Sequence, residues 1–418
     1  MSTLSQLAES LIGSEIVKLG NEISKRVRDG EKIYNYTIGD FDPDIFPIPA
    51  GLEEQIIACY RQRYTNYPPA DGLLELRSAI SKFTEEHQYI SYAPNEIQVA
   101  SGGRPLIYAL FKTIVDVHDK VIYGVPSWNN NHYVSMNHGA HCIIETTVEN
   151  NFMPTVADVK QHISGAVLLC LCSPQNPTGT TISKETLEGI CDLVIEENKK
   201  REGKAKKLYV MYDQMYSLLV YDNIKHFDPV SLRPEMKDYT IFIDGISKSF
   251  AGTGVRVGWA LGPVHVLSKM RPLLSHIGAW APMAEQKATA NFLEQKDLLK
   301  EYLGHFKKEL QERLITIYQG FTRLKEKGYE IDCIAPHAAI YLTLKLPLAG
   351  KSADGKTLND QKDVTEYILN KAKLAIVPFY AFGADHSSPW YRLSVGTCIK
   401  SEIPDMLALF ENALQELH

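Results

Sequence analysis

The stretch that decides the fold, Asp244–Trp259, reads DGISKSFAGTGVRVGW and follows a short apolar run, Thr240–Ile243. Four β-branched or aromatic residues in a row are typical of a buried strand, and the glycine that follows soon after indicates a turn. Lys248 therefore stands just past the end of a strand, among small residues that let the backbone turn tightly. Arg256 follows eight positions later. The segment predicts a strand and turn that hold a lysine over a pocket, with an arginine close by.

Two interpretations of Lys248 are open on this segment alone. The lysine can form a Schiff base with an aldehyde cofactor, while serine hydroxyls and Arg256 bind the phosphate of that cofactor. It can equally be a surface lysine in a polar turn, as most lysines are. The rest of the chain has to decide between them.

The composition narrows the class of protein. A chain of 418 residues is long for a single core, which predicts one large and one smaller domain. With 44% hydrophobic and 22% charged residues, it is typical of a globular protein in water. The net charge of −6 offers no basic surface for nucleic acid, so we expect no nucleic-acid partner.

Seven scattered cysteines indicate reduced thiols rather than a disulfide framework. Neither a CxxC pair nor an HExxH motif argues for a metal. The first residues lack the order of a signal peptide, and the longest apolar run, Ala166–Cys172, is too short to cross a bilayer. We therefore expect a cytoplasmic protein without a metal or a membrane anchor.

Short apolar runs alternate with helical patterns from about residue 50 to 315. The predicted strands are Glu96–Ala100, Lys120–Tyr123, Ala166–Cys172, Leu208–Tyr212 and Thr240–Ile243. Alternation of nearly continuous apolar strands with helices favours a mostly parallel sheet with helices on both faces. We predict an α/β protein with a three-layer α/β/α large domain over residues 49–315.

Both ends of the chain are predicted to form a smaller α+β domain, residues 1–48 together with 316–418. Its predicted elements are an N-terminal amphipathic helix through Ile12, Ile16, Leu19 and Ile23, a strand at Ala339–Leu346, a polar loop at Gly350–Lys362, and a terminal helix through Leu407, Phe410, Leu414 and Leu417. The break between the two domains is predicted to fall within a long helical region, Glu285–Lys327.

Each predicted strand of the large domain is followed at once by residues that can carry chemistry. In open α/β sheets, ligands bind outside the carboxyl ends of the strands. The first strand leads into Gly102, Gly103 and Arg104, where glycines opening a helix let backbone N–H groups bind a phosphate. The second leads to Trp128, which is either core or a stacking surface for an aromatic ring.

The third and fourth strands end in more specific groups. Asn176 lies between two prolines in Ser173–Gly179, and its amide can donate a hydrogen bond to a ring oxygen. Asp213 ends an apolar strand, where a charge is unfavourable without a cationic partner. A protonated pyridine nitrogen would be such a partner, and Tyr216 can reach the neighbouring phenolic oxygen. Five predicted strands thus end in reactive or ligand-binding residues at the same edge of one sheet. This favours the interpretation of Lys248 as a cofactor lysine.

This combination resembles the fold-type I pyridoxal-phosphate enzymes, and specifically the class I/II aminotransferases, from Gly39 to Gly396. The resemblance implies pyridoxal 5'-phosphate as cofactor, bound as an aldimine to Lys248 and converted to pyridoxamine phosphate in turnover. It implies that Asp213 keeps the pyridine nitrogen protonated. The remaining cofactor contacts that it implies are made by Tyr216, Asn176, Trp128, Gly102, Gly103, Arg104 through its backbone N–H, Ser247 and Arg256.

The resemblance also implies substrate and partner contacts. Arg392, in the segment Tyr391–Ser394, would clamp the substrate α-carboxylate, helped by Gly39 and Asn176. Tyr67 matches a tyrosine that reaches the phosphate of the other subunit, which implies a homodimer. The expected reaction moves an amino group from an L-amino acid to a 2-oxo acid.

Two positions depart from the family pattern. Gly245 stands where many relatives have a serine or threonine, three residues before the lysine. Residues 274–282 lack the arginine that dicarboxylate-specific relatives carry about thirty residues after the lysine. We therefore expect a neutral or aromatic substrate side chain. Aspartate aminotransferase, a C–S lyase on the same fold and a non-catalytic ligand sensor are the alternatives.

Overall fold

A seven-stranded sheet organises the computed structural model, which describes residues 4–10, 13 and 15–418. In chain order its strands are β1 (Ile97–Ala100), β2 (Lys120–Val125), β3 (Ala140–Glu145), β4 (Ala166–Cys172), β5 (Tyr209–Asp213), β6 (Thr240–Gly245) and β7 (Gly258–Leu261). Neighbours follow the order β1-β7-β6-β5-β4-β2-β3. Only β7 runs against its neighbours, β1 and β6, and the other pairs are parallel. The predicted α/β fold with a mostly parallel sheet is confirmed.

Both faces of this sheet are covered, because side chains alternate along a strand. In β4, Leu169 and Leu171 belong to one buried cluster, whereas Leu168 and Cys170 belong to another. The first cluster includes residues of the helices Leu74–Gln88, Lys184–Arg201 and Met283–Leu293. The second includes residues of Gly103–Ile114 and Val264–His276, which completes three layers.

The other α-helices flank this core or belong to the chain ends. Their bounds are Gln6–Ser10, Glu15–Arg28, Ala50–Arg61, Asn130–Met136, Val156–His162, Pro229–Leu232, Ile246–Ser249, Lys296–Glu326, Gln361–Lys371 and Ile403–Gln415.

A smaller antiparallel sheet forms near the C-terminus, with strands in the order Val377–Pro378, Trp390–Ser394, Tyr341–Lys345 and Asp332–Cys333. Tyr34–Asn35 pairs with Leu374–Ala375, so the N-terminal segment joins this part of the molecule. The predicted limits of the two domains remain a prediction. The limit at residue 315 falls inside the helix Lys296–Glu326.

Several elements differ from the sequence prediction. β3 was missed because it is an edge strand with only two buried side chains. β7 was missed because it has four residues and begins with a glycine inside the Lys248 segment. The helical region Glu285–Lys327 is two helices, Met283–Leu293 and Lys296–Glu326, with no sequence breaker between them.

Smaller differences concern the ends of the chain. Ile12 of the predicted N-terminal helix lies outside the described residues, and Leu417 lies beyond the end of the last helix. The predicted loop Gly350–Lys362 contains a short hairpin, Ser352–Ala353 with Lys356–Thr357, and already enters a helix at Gln361. Asp360 caps that helix by accepting from two backbone N–H groups.

Within the described residues, no helix has the length and hydropathy needed to cross a membrane. The cytoplasmic location expected from the sequence stays a prediction.

Candidate active site

The carboxyl ends of β4, β5 and β6 open into one cavity of about 540 Å³. Residues from the small sheet and from the segment 37–40 form the opposite wall. Of the predicted site residues, those that line the cavity are Gly39, Gly103, Arg104, Trp128, Asn176, Asp213, Tyr216, Ser247, Lys248, Arg256 and Arg392. The structure thus brings together groups that are far apart in the sequence.

Lys248 lies in the single helical turn Ile246–Ser249, directly after β6. Its Nζ donates a hydrogen bond of 2.5 Å to the carbonyl oxygen of Gly39. Burial lowers its pKa to about 8, and nearby arginines act in the same direction against the opposing carboxylate of Asp40. A substantial share of neutral amine near neutral pH makes this side chain a competent nucleophile and base.

Gly245 has a steric reason to differ from the family pattern. A Cβ at this position would lie 2.9 Å from both the Cα of Gly258 and the carbonyl oxygen of Val257 in the adjacent chain segment. A serine or threonine would therefore need β6 and β7 to move apart.

Asp213 ends β5 and is partly buried. Its Oδ1 accepts a hydrogen bond of 3.1 Å from the backbone N–H of Met215. Burial raises its pKa to about 6, although Met215 and Lys248 favour the charged form. No ion pair to Asp213 is found in the part of the chain that the structure describes. The site therefore has room for a cation next to this carboxylate.

Groups that can bind an anion lie where β1 ends and β7 begins, at the edge of the same cavity. Gly102 caps the twelve-residue helix Gly103–Ile114, whose first N–H groups face this end of the sheet. Arg256 is held by hydrogen bonds of 2.6 Å from its Nη atoms to the carbonyl oxygens of Thr253 and Ser101. A guanidinium has five N–H donors, so further donors remain for an anion.

Gly102 itself does not line the cavity. Its φ is +92°, and a Cβ there would lie 2.2 Å from an Nη atom of Arg256. Its contribution is to let the arginine approach the backbone, which only a glycine permits at this position.

Arg392 is fixed on the opposite wall, with 1% of its surface exposed. Its guanidinium donates to Asn176 Oδ1 at 3.0 Å and to the carbonyl oxygen of Thr37 at 2.5 Å. The rings of Tyr341 and Phe382 each lie 4.8 Å from its central carbon. These contacts hold one orientation of a planar, always charged group that suits a carboxylate.

Arg104, unlike Arg392, is exposed, and its guanidinium lies 5.2 Å from the ring of Trp128. No side-chain hydrogen bond or salt bridge to it occurs among the described residues. The cavity therefore contains a positive side chain that remains available to a ligand.

Tyr67 lies outside the cavity and is 80% exposed. Its ring is 5.1 Å from that of Trp280, and both line a second cavity of about 580 Å³. Of the stretch 274–282, Trp280, Ala281 and Pro282 line that second cavity and not the first.

Sequence reasoning missed several residues of the cavity wall. Tyr341 bonds Tyr216, with 2.6 Å between their hydroxyl oxygens. Asp40 accepts a 2.6 Å hydrogen bond from Thr253. Ile16 of the N-terminal helix also reaches the wall. The residue types gave no signal, because a tyrosine in a strand and an isoleucine in an amphipathic helix are normally core.

These residues fit pyridoxal 5'-phosphate. Arg256 and the helix N-terminus suit its phosphate, and Asp213 lacks the cation that a protonated pyridine nitrogen would supply. Asn176 and Tyr216 add hydrogen-bonding groups that a phenolic oxygen could use, and Lys248 offers the amine.

Comparisons with known proteins agree with this chemistry. The sequence model of a family described as aminotransferase class I and II matches residues 32–408. An aspartate aminotransferase of Bacillus sp. (strain YM-2) is 31% identical over 365 residues, 87% of each chain. A bifunctional aspartate aminotransferase and glutamate/aspartate-prephenate aminotransferase of Petunia hybrida is 29% identical over 99% of this chain and 82% of its own. The crystal structure of the Rhizobium meliloti aspartate aminotransferase superimposes over 100% of both chains, with a TM-score of 0.89 and 25% identity.

Proposed function

The chain belongs to the class I and II aminotransferases, and from that premise we propose a role for each group in its cavity and a class of substrate. It is a pyridoxal-phosphate-dependent aminotransferase that moves an amino group from an L-amino acid to a 2-oxo acid. The observation that carries the assignment of roles is the meeting of Lys248, Asp213 and Arg392 in one cavity.

Pyridoxal phosphate, when bound, withdraws electrons from the substrate α-carbon and so makes its proton removable. Arg256, Ser247 and the N–H groups of Gly103 and Arg104 hold the phosphate. Asp213 would hold the pyridine nitrogen in its protonated form. Trp128 would stack on the ring, while Asn176 and Tyr216 would hydrogen-bond the phenolic oxygen.

Lys248 is the proton carrier. Its amine, with a pKa near 8, accepts the α-proton of the substrate at Nζ. Its hydrogen bond to Gly39 also links the amine to the segment on the substrate side of the cavity. A non-catalytic sensor would not require a basic amine at this place.

Arg392 binds the α-carboxylate, with Asn176 and Gly39 beside it. Every amino acid and every 2-oxo acid carries that carboxylate, so a rigid arginine serves both half-reactions. The immobilisation of Arg392 by Thr37, Asn176 and two aromatic rings supports this role.

We assign the distal end of the substrate to Arg104, and therefore propose a dicarboxylic amino acid as substrate. The sequence favoured a neutral or aromatic side chain because residues 274–282 lack an arginine. Arg104 is a different cation in the cavity, and it has no anionic partner among the residues that the structure describes. Similarity to enzymes named aspartate aminotransferases supports this choice.

The neutral or aromatic preference is the second candidate. Ile16, Ile38 and Ile107 also line the cavity and give it apolar surface. Such a lining would accept an uncharged side chain with Arg104 turned toward solvent.

A homodimer is also part of the proposal. Tyr67 is 80% exposed and lines the second cavity together with Trp280, so aromatic surface is grouped there. A second copy of the chain would cover it and bring Tyr67 to the phosphate of its neighbour. Sedimentation should show a dimer, and a monomer with full activity at high dilution would contradict the assignment of Tyr67.

One experiment tests the reaction. The purified protein, loaded with pyridoxal phosphate, is given excess aspartate without any 2-oxo acid. One equivalent of oxaloacetate per subunit should form, with conversion of the cofactor to its amine form. In a parallel sample given cystathionine, catalytic release of homocysteine, pyruvate and ammonia would indicate lyase chemistry instead. No product from aspartate, phenylalanine or cystathionine would favour a sensor.

A further inference from the structure

Tyr341 is a cavity residue to which the reaction as described gives no role. It begins the strand Tyr341–Lys345 of the small sheet and pairs with Ser394 in the neighbouring strand. Only 1% of its surface is exposed. Its hydroxyl oxygen lies 2.6 Å from that of Tyr216, and the two rings meet edge to face at 5.5 Å.

Two hydroxyl groups at this distance share a single hydrogen bond, so the direction of that bond decides what Tyr216 can do. Each phenol has one proton to donate. If Tyr216 donates to Tyr341, it can only accept from a ligand in the cavity. If Tyr341 donates to Tyr216, the proton of Tyr216 is free for an acceptor in the cavity.

The surroundings of Tyr341 leave its hydroxyl no other partner among the described residues. A Cβ on Gly39 would lie 2.8 Å from this hydroxyl, so the backbone of the segment 37–40 closes over it. The guanidinium of Arg392 lies over the ring, and its hydrogen bonds among the described residues go to Asn176 and Thr37. The hydroxyl is therefore confined to Tyr216.

We propose that Tyr341 is a positioning residue that donates its proton to Tyr216 and so directs the proton of Tyr216 to the phenolic oxygen of the cofactor. The proposal rests on the role given to Tyr216 under the proposed function. A donor that itself accepts a hydrogen bond is a stronger donor, because the bonds polarise one another. Tyr341 thus strengthens the contact that favours the ionised form of that oxygen.

The test is the pKa of the visible absorption of the bound cofactor, measured by titration of the loaded protein without substrate. Hydrogen bonds to an ionised oxygen lower its pKa, so removal of the donor raises it. Tyr216→Phe should raise this pKa by about one unit, and Tyr341→Phe by about half a unit. In the Tyr216→Phe background, Tyr341→Phe should cause no further change in this pKa, because the hydroxyl through which Tyr341 acts is absent.

Tyr221→Phe is the matched control. Tyr221 is equally buried and donates to the carbonyl oxygen of Ala339, two residues before Tyr341, but it does not line the cavity. Its loss should leave the titration unchanged.

The outcomes separate this inference from the proposed function. A shift in Tyr216→Phe without one in Tyr341→Phe overturns the role of Tyr341 alone. Equal shifts from Tyr341→Phe in both backgrounds also overturn it, since Tyr341 would then act independently of Tyr216. No shift in Tyr216→Phe itself would overturn the role of Tyr216, and the inference with it.

Discussion

Arg392 and Arg104 are two arginines in one cavity, and they are held in opposite ways. Arg392 is buried, hydrogen-bonded to Asn176 and Thr37, and packed between two aromatic rings. Arg104 is exposed, its guanidinium lies over the ring of Trp128, and no hydrogen bond or salt bridge holds it within the described part of the chain. One side chain has lost its rotational freedom in the folded protein, and the other has kept it.

The difference matches the two parts of a substrate that a transaminase must handle. The α-carboxylate is common to the amino donor and the acceptor, so a pre-positioned group binds it without a further loss of entropy. The side chain differs between the two, so a cation that can turn toward or away from the cavity tolerates both. On the proposed assignment, the buried arginine would recognise the common carboxylate, and the exposed one would select among side chains.

The largest effect is expected at Lys248, which serves substrates bound by either arginine. Lys248→Ala removes the base and should lower kcat by about a thousandfold for every amino acid. General acid–base catalysis typically contributes about 100-fold to 10,000-fold. Borohydride reduction of the wild type should attach the cofactor to Lys248, as identified by peptide mapping. Lys269→Ala, an exposed lysine outside the cavity, is the control and should retain full activity.

The second largest effect is expected for Arg392→Gln. It should lower kcat/KM by roughly 100-fold to 1,000-fold for all substrates alike, because it removes one member of a desolvated charge pair. Steady-state kinetics with four amino acids of different side chains would measure it. Arg313→Gln is a matched control, because Arg313 is also buried beside an aromatic ring but lies outside the cavity. A loss confined to one substrate would contradict a common role for Arg392.

Loss of the Arg104 charge should weaken the binding of a dicarboxylate by about tenfold, a smaller effect, because a solvent-exposed charge is screened. Succinate should inhibit the wild type through two carboxylates, whereas butanoate has one. Arg104→Gln should weaken the binding of succinate and leave the binding of butanoate unchanged, as measured by the inhibition constants of the two acids. Lys112→Gln on the same helix changes the same charge outside the cavity and should affect neither.

The smallest effect concerns pH. The pKa of Lys248 is lowered to about 8 by burial, with the positive charges of Arg392, Arg104 and Arg256 acting in the same direction. The neutral amine is the reactive form, so the rate at which the cofactor-free protein takes up pyridoxal phosphate should rise with pH up to about 8 and level off above it. Asp40→Asn removes the charge that opposes the shift, so the plateau should begin at lower pH. A plateau that begins at higher pH in Asp40→Asn would contradict the inference that Asp40 raises the pKa of Lys248.

The sequence predicted the half of the cavity that the large sheet builds. Lys248, Asp213 and Asn176 each follow a recognisable apolar strand, and parallel strands bring their carboxyl ends to one edge. The position of a strand in the chain is therefore enough to place its last side chain. Residue limits of these strands differed from the prediction by one or two positions at most.

The other half could not be predicted in this way. Thr37, Asp40 and Tyr341 reach the cavity because the N-terminal segment crosses to the small sheet, where Thr37 meets Arg392, 355 positions later in the chain. Nothing in a tyrosine within a short strand indicates that its hydroxyl will meet another tyrosine. Whether Arg104 presents its backbone or its side chain to a ligand also depends on packing against Trp128, which the motif itself does not determine.

The ratio of kcat/KM for aspartate to that for phenylalanine tests the division between the two arginines most directly. We predict that Arg104→Gln lowers this ratio by about tenfold, because only aspartate has a distal carboxylate to lose its partner. Arg392→Gln should lower both values and leave the ratio as in the wild type. A ratio unchanged by Arg104→Gln, or changed as much by Arg392→Gln, would contradict the account.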